Sequence, residues 1–90
     1  MKILHMTLKK KWFDMILSGE KKEEYREIKG YWAKRLFNRQ YDIIRFRNGY
    51  SPDSPVFDIE YKGFTLGVGN AAWGAPDVPV YIIKLGEVLK

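Results

Sequence analysis

Ninety residues, 46% of them apolar and 16% aromatic, with no cysteine, describe a single small globular domain over residues 1–90. They exclude a disulfide framework, a thiolate zinc site, a cysteine nucleophile and a disordered or low-complexity chain. The net charge of +5 is unevenly placed: residues 1–50 hold thirteen Lys or Arg against six Asp or Glu, residues 51–90 three against five.

That basic first half favours encounter with polyanions, although charge alone is equally consistent with a solvated lysine-rich surface. The lone His5 and the missing thiols leave too few ligands for a metal, so neither metal nor cofactor is expected. No apolar run approaches the roughly 18 residues of a membrane span, and the opening does not read as a secretory signal. A soluble, cytoplasmic protein with no membrane partner is the expectation.

The chain opens with a strand over Lys2–Leu8, in which Leu4, Met6 and Leu8 alternate as one buried face. Trp12, Phe13, Ile16 and Leu17 form a helical stripe from Lys10 to Ser18, read as core and closed by Gly19. The charged run Glu20–Glu27 lacks such a stripe. If extended, it sends Lys22, Glu24 and Arg26 to one side and Lys21, Glu23, Tyr25 and Glu27 to the other. Tyr31, Trp32, Arg35, Leu36 and Phe37 recur at helical spacing after Gly30, with Trp32 read as core.

Tyr41–Phe46 is a strand by its aromatic and β-branched content, ended by the turn dipeptide Asn48-Gly49. Ser51–Pro55 is a surface loop. Val56–Tyr61 and Phe64–Val68 are either a hairpin or one bulged strand, and Gly69–Pro79 is an irregular loop around Trp73. Tyr81–Leu85 is the last clear strand, followed by a tail, Gly86–Lys90, that is able to pair. These elements predict an α+β, mainly β domain: a compact, partly closed β-barrel of five or six strands with two short helices, with an α+β sandwich as the alternative.

One stretch carries chemistry. Gly19-Glu20-Lys21-Lys22-Glu23-Glu24-Tyr25-Arg26 contains Gly-x-Lys-x-x-Glu-x-Arg. A helix ending at Gly19 presents Lys21 at the turn into a strand from which Glu24 and Arg26 project on one side. A carboxylate between two cations is oriented by them, and such a trio is suited to hold a phosphate or carboxylate, with Glu24 positioning the cations or accepting a proton. Taken alone, the run also reads as an ordinary exposed charged strand.

The motif, with Trp12-Phe13 before it, Tyr31-Trp32 after it, Asn48-Gly49-Tyr50 and the terminal Tyr81-Ile82-Ile83-Lys84-Leu85-Gly86, resembles the ASCH domain of the PUA-like superfamily over nearly the whole chain. The resemblance implies a PUA-like β-barrel with one or two helices beside an open cleft, in which Lys21, Glu24 and Arg26 face an RNA or nucleotide-like ligand. Some small ASCH proteins are amidohydrolases of acetylcytidine that use the motif lysine, a threonine at the position of Glu24 and a distant glutamate. This sequence departs there, and its distant carboxylates are Asp58, Glu60, Asp77 and Glu87.

Tyr31, Trp32, Tyr50 and Trp73 are the candidate base-stacking aromatics, although a loop tryptophan such as Trp73 more often plugs one end of a barrel. Tyr31 with Arg35 forms a basic aromatic edge, and Asn48 is either a contact or only a turn residue. Three functions are in view. The first is an RNA- or nucleotide-binding cleft of Lys21, Glu24, Arg26, Tyr31, Arg35, Asn48, Tyr50 and Trp73. The second is a hydrolase of RNA or a modified nucleoside with Lys21 and Glu24 as acid and base. The third is a non-catalytic interaction module in which the trio is a structural network.

Overall fold

The computed structural model describes residues 1–89 and comprises five strands and two α-helices: β1 (Ile3–Leu8), α1 (Lys10–Leu17), β2 (Glu23–Arg26), α2 (Gly30–Leu36), β3 (Ile43–Asn48), β4 (Val56–Val68) and β5 (Pro79–Leu89). A 3₁₀ turn, Ala71–Trp73, precedes β5. No helix among the described residues is long and apolar enough to cross a membrane.

All five strands join one sheet in the order β1-β3-β4-β5-β2. β1 runs parallel to β3, and every other pairing is antiparallel. The alternation of β1 holds, with Leu4, Met6 and Leu8 buried. They pack with Phe13 and Ile16 of α1, Leu36 of α2, Ile44 and Phe46 of β3 and Tyr81, Ile83 and Leu85 of β5 in the main core.

Two members of the α1 stripe leave the core. Leu17 is exposed, and Trp12 is half-buried at the edge of a cleft, because eight residues present only a narrow inward arc. Trp32 is half-buried against the main core, as its spacing with Leu36 suggests.

Val56–Val68 resolves as one bulged strand rather than a hairpin. Its pairing with β5 shifts register between Ile59 and Tyr61 and again between Tyr61 and Phe64, where Gly63 takes φ +90°. The bend lets one strand pair with β3 at its beginning and with β5 along its length. The tail pairs too, with Leu89 opposite Asp58; Lys90 lies outside the described residues.

β5 is buried on both faces, which explains its continuous apolar run. Tyr81, Ile83 and Leu85 face the main core, while Val80 and Ile82 join Tyr25 in a second, smaller cluster that also takes Trp73 and Ala75.

The expected barrel closure is not what forms. The edge strands β1 and β2 share no backbone ladder, so the sheet stays open. A side chain bridges the seam instead: Nη2 of Arg26 on β2 donates to the Thr7 carbonyl on β1 at 3.2 Å.

The core sets the stability of this frame. Phe46 is 0% exposed and packs on Phe57, with ring centroids 5.7 Å apart. Replacing Phe46 with alanine is expected to cost about 3–5 kcal/mol, a large part of the roughly 5–15 kcal/mol of an ordinary domain, read as a lower urea midpoint.

Candidate functional site

The site starts at the end of α1. Gly19 at φ +88° closes the helix, with its N–H on the Ile16 carbonyl at 3.0 Å, and the N–H of Lys21 returns to the Met15 carbonyl at 2.9 Å. This reversal turns the Lys21 side chain inward ahead of β2. Lys21 therefore escapes the strand alternation that would place it opposite Glu24.

Lys21 is 2% exposed and Glu24 4% exposed. Burial of charge is expensive unless every charge is paired, and here the pairing is complete. Lys21 Nζ lies 2.8 Å from Glu24 Oε1 and donates to the Trp73 carbonyl at 2.6 Å. The other carboxylate oxygen, Oε2, accepts from Arg26 Nη1. Arg26 also donates to the Tyr25 and Thr7 carbonyls at 2.7 and 3.2 Å. Among the described residues, no buried side-chain nitrogen or oxygen lacks a partner.

Aromatic rings complete the enclosure. Lys21 Nζ sits 4.3 Å from the Trp12 ring centroid, and the Arg26 guanidinium 5.2 Å from that of Trp32, distances at which a cation is attracted to the ring face.

The loop that supplies the Trp73 carbonyl is itself anchored. The Tyr25 hydroxyl accepts from the Asn70 N–H at 3.1 Å and donates to Glu23 Oε1 at 2.8 Å, while Lys84 Nζ donates to Glu23 Oε2 at 3.2 Å. The Asn70 side chain caps the 3₁₀ turn by accepting from the Ala72 N–H at 2.9 Å. Gly74 then takes φ +93° against Trp12, where a Cβ would fall 2.7 Å from the indole. Only glycine allows that approach.

A cleft of about 610 Å³ opens over the trio. Lys21, Glu24, Arg26, Asn48, Tyr50 and Trp73 all line it. Tyr31 and Arg35 do not: they stand together on α2, with the Arg35 guanidinium 3.6 Å from the Tyr31 ring centroid. Trp73 lines the cleft, gives its carbonyl to Lys21 and packs against the second cluster. Tyr50 is 90% exposed at the rim, and Asn48 ends β3 with its N–H on the Pro55 carbonyl at 3.0 Å.

Sequence reasoning missed Trp12, Thr7 and Gly74 as part of this site, and Tyr25 as the support of its loop. Their signals were faint: a tryptophan inside a core-like stripe, a strand carbonyl, and one glycine in a loop rich in them. Of the distant carboxylates, none reaches the cleft. Asp58 is held by Arg45 across β3 and β4 at 2.7 and 2.9 Å, which keeps its carboxyl below the usual range, and Glu60 accepts from the Glu87 N–H at 2.9 Å. Glu24 is the one carboxylate lining the cleft among the described residues, and no three His, Asp or Glu side chains there converge as metal ligands.

No family model, curated protein or solved structure matches the chain.

Removing the central carboxylate leaves two cations facing each other without their counter-charge. Glu24→Ala is expected to destabilise the fold by about 3–5 kcal/mol, measured by chemical denaturation.

The Tyr25 phenol offers a second handle. Burial, reinforced by the Glu23 and Glu24 carboxylates and opposed by the Asn70 N–H, pushes it from 10.0 up to about 12. Between these values the folded state holds a proton that the unfolded state has lost. Stability from this group is therefore intact below pH 10.0 and falls as pH rises toward about 12. Tyr25→Phe is expected to flatten that part of the alkaline unfolding profile.

Proposed function

We propose that this chain is an ASCH-like domain of the PUA-like superfamily whose cleft binds a nucleotide, free or within single-stranded RNA. The observation that carries the reading is the guanidinium of Arg26 in the lining of the cleft. Arginine offers five N–H donors, and the contacts to Glu24, Tyr25 and Thr7 engage three of them. Two donors remain for a ligand, in a position fixed by a buried carboxylate.

The surroundings suit a nucleotide. Lys9 and Lys10 stand at the rim, where a phosphate meets cations, and Lys10 is tied only to exposed Asp14, a pairing worth little. Tyr50 offers an exposed ring for base stacking, and Asn48 an amide for a base edge.

Binding is favoured over hydrolysis by the state of the would-be acid and base. Lys21 is enclosed and doubly engaged, both oxygens of Glu24 are taken, and no second carboxylate reaches the cleft to activate water. In this reading Lys21 and Glu24 position Arg26 and the cleft wall rather than touch the ligand.

Titration of labelled single-stranded RNA at two salt concentrations tests the proposal. The logarithm of the binding constant is expected to fall with the logarithm of salt by about 0.7 for each phosphate contacted. Arg26→Ala, with its native fold checked by circular dichroism, is expected to weaken binding on the order of tenfold, the size of one charge-assisted contact. An absence of binding at low salt, or a folded Arg26→Ala that binds as the parent does, overturns the reading. Turnover of RNA or of acetylcytidine that disappears in Glu24→Gln would replace it with the hydrolase.

A further inference from the structure

The cation–aromatic contacts do not stop at the cleft. Arg26, which lines the cleft, faces the Trp32 ring at 5.2 Å. Trp32 meets Tyr31 edge to face, with centroids 4.9 Å apart and planes at 79°. Tyr31 in turn carries the Arg35 guanidinium at 3.6 Å, fixed by a 2.9 Å hydrogen bond from Nη1 to the Tyr31 carbonyl. Four side chains thus form one continuous array from the cleft to the outer surface of α2.

Its outer end is built unlike a solvated helix. Tyr31 is 54% exposed although an aromatic of that size gains by burial. Residues 28–41 hold Lys29, Lys34, Arg35 and Arg39 and no carboxylate. Lys29 approaches Glu27 at 3.9 Å, but among the described residues Lys34, Arg35 and Arg39 form no ion pair. Arg39 Nε donates to the Lys34 carbonyl at 3.0 Å, which gathers these cations at the C-terminal end of α2. Unneutralised cations beside an exposed ring and a positioned guanidinium are the complement of a chain that alternates phosphates with stackable rings. Duplex nucleic acid offers the phosphates but keeps its rings inside.

From this we propose that α2 carries a second nucleotide subsite, in which Tyr31 and Arg35 form a stacking platform and Lys34 and Arg39 contact phosphate. The protein then engages several nucleotides of a single strand, one of them in the cleft. This rests on the cleft reading above, and the α2 subsite adds length to it.

The test compares ligands of different length by anisotropy or competition: uridine monophosphate, an oligouridine of about eight nucleotides, and inorganic polyphosphate of matching charge. The oligouridine is expected to bind at least about tenfold more tightly than the monophosphate. The double variant Tyr31→Ala, Arg35→Ala is expected to remove that gain while leaving the monophosphate affinity unchanged. Arg35→Lys keeps the charge but not the planar guanidinium, and is expected to lose most of the same gain. Lys34→Ala with Arg39→Ala is expected to lower the salt slope for the oligouridine by about 0.7 per cation removed.

An oligouridine that binds no better than the monophosphate overturns the α2 subsite and leaves the cleft reading standing. Polyphosphate that matches the oligouridine reduces α2 to a plain cation patch and also overturns it. Oligouridine binding that depends on Tyr31 and Arg35 without any monophosphate binding overturns the cleft reading instead, and supports the platform.

Discussion

The carboxylate of Glu24, held between Lys21 and Arg26, is the point on which four separate segments converge. Lys21 comes from the turn after α1, Glu24 and Arg26 from β2, and the Trp73 carbonyl from the loop before β5, while Thr7 belongs to β1. Taking these charges out of water costs several kcal/mol each, and an apolar cluster of equal volume would hold the segments as well or better. An apolar cluster would have no donors to present. What the charged arrangement adds is a guanidinium anchored by a buried carboxylate in the lining of the cleft.

That arrangement is possible because β5 is buried twice. One face completes the main core; the other gives Tyr25, Trp73 and Ala75 something to pack on. The small second cluster makes an irregular loop behave like a wall. With Tyr25 holding the Asn70 N–H and Gly74 seated on Trp12, the Trp73 carbonyl is delivered to Lys21 from a segment with no regular strand or α-helix of its own.

Much of the frame was legible in the sequence, because period is a local property. The alternation of Leu4, Met6 and Leu8, the Phe13 and Ile16 stripe, the Asn48-Gly49 turn and the apolar run of β5 each announce their element within a few residues. The convergence of Lys21, Glu24 and Arg26 was legible as a spacing, though strict alternation misplaces Lys21, which lies in a turn and obeys no strand period. What stayed hidden was non-local. Whether β4 bends or folds back depends on partners on both sides, and whether the sheet closes depends on how β1 and β2 meet. The seam is filled by Arg26, a residue whose reach across it no pattern encodes. The separation of Tyr31 and Arg35 from the cleft was hidden for the same reason: helical spacing places them beside each other and says nothing of what lies next to the helix.

The placement of β2 at the far edge of the sheet bears on how the molecule assembles. β2 has no neighbour in the sheet except β5, so the Lys-Glu-Arg trio, encoded within the first 26 residues, has no scaffold until residues 79–89 are present to pair with it. Burial of its Lys21 and Glu24 in the native state thus depends on residues far along the chain. A chain with an intact cleft is therefore one in which β5 has joined the sheet beside β2.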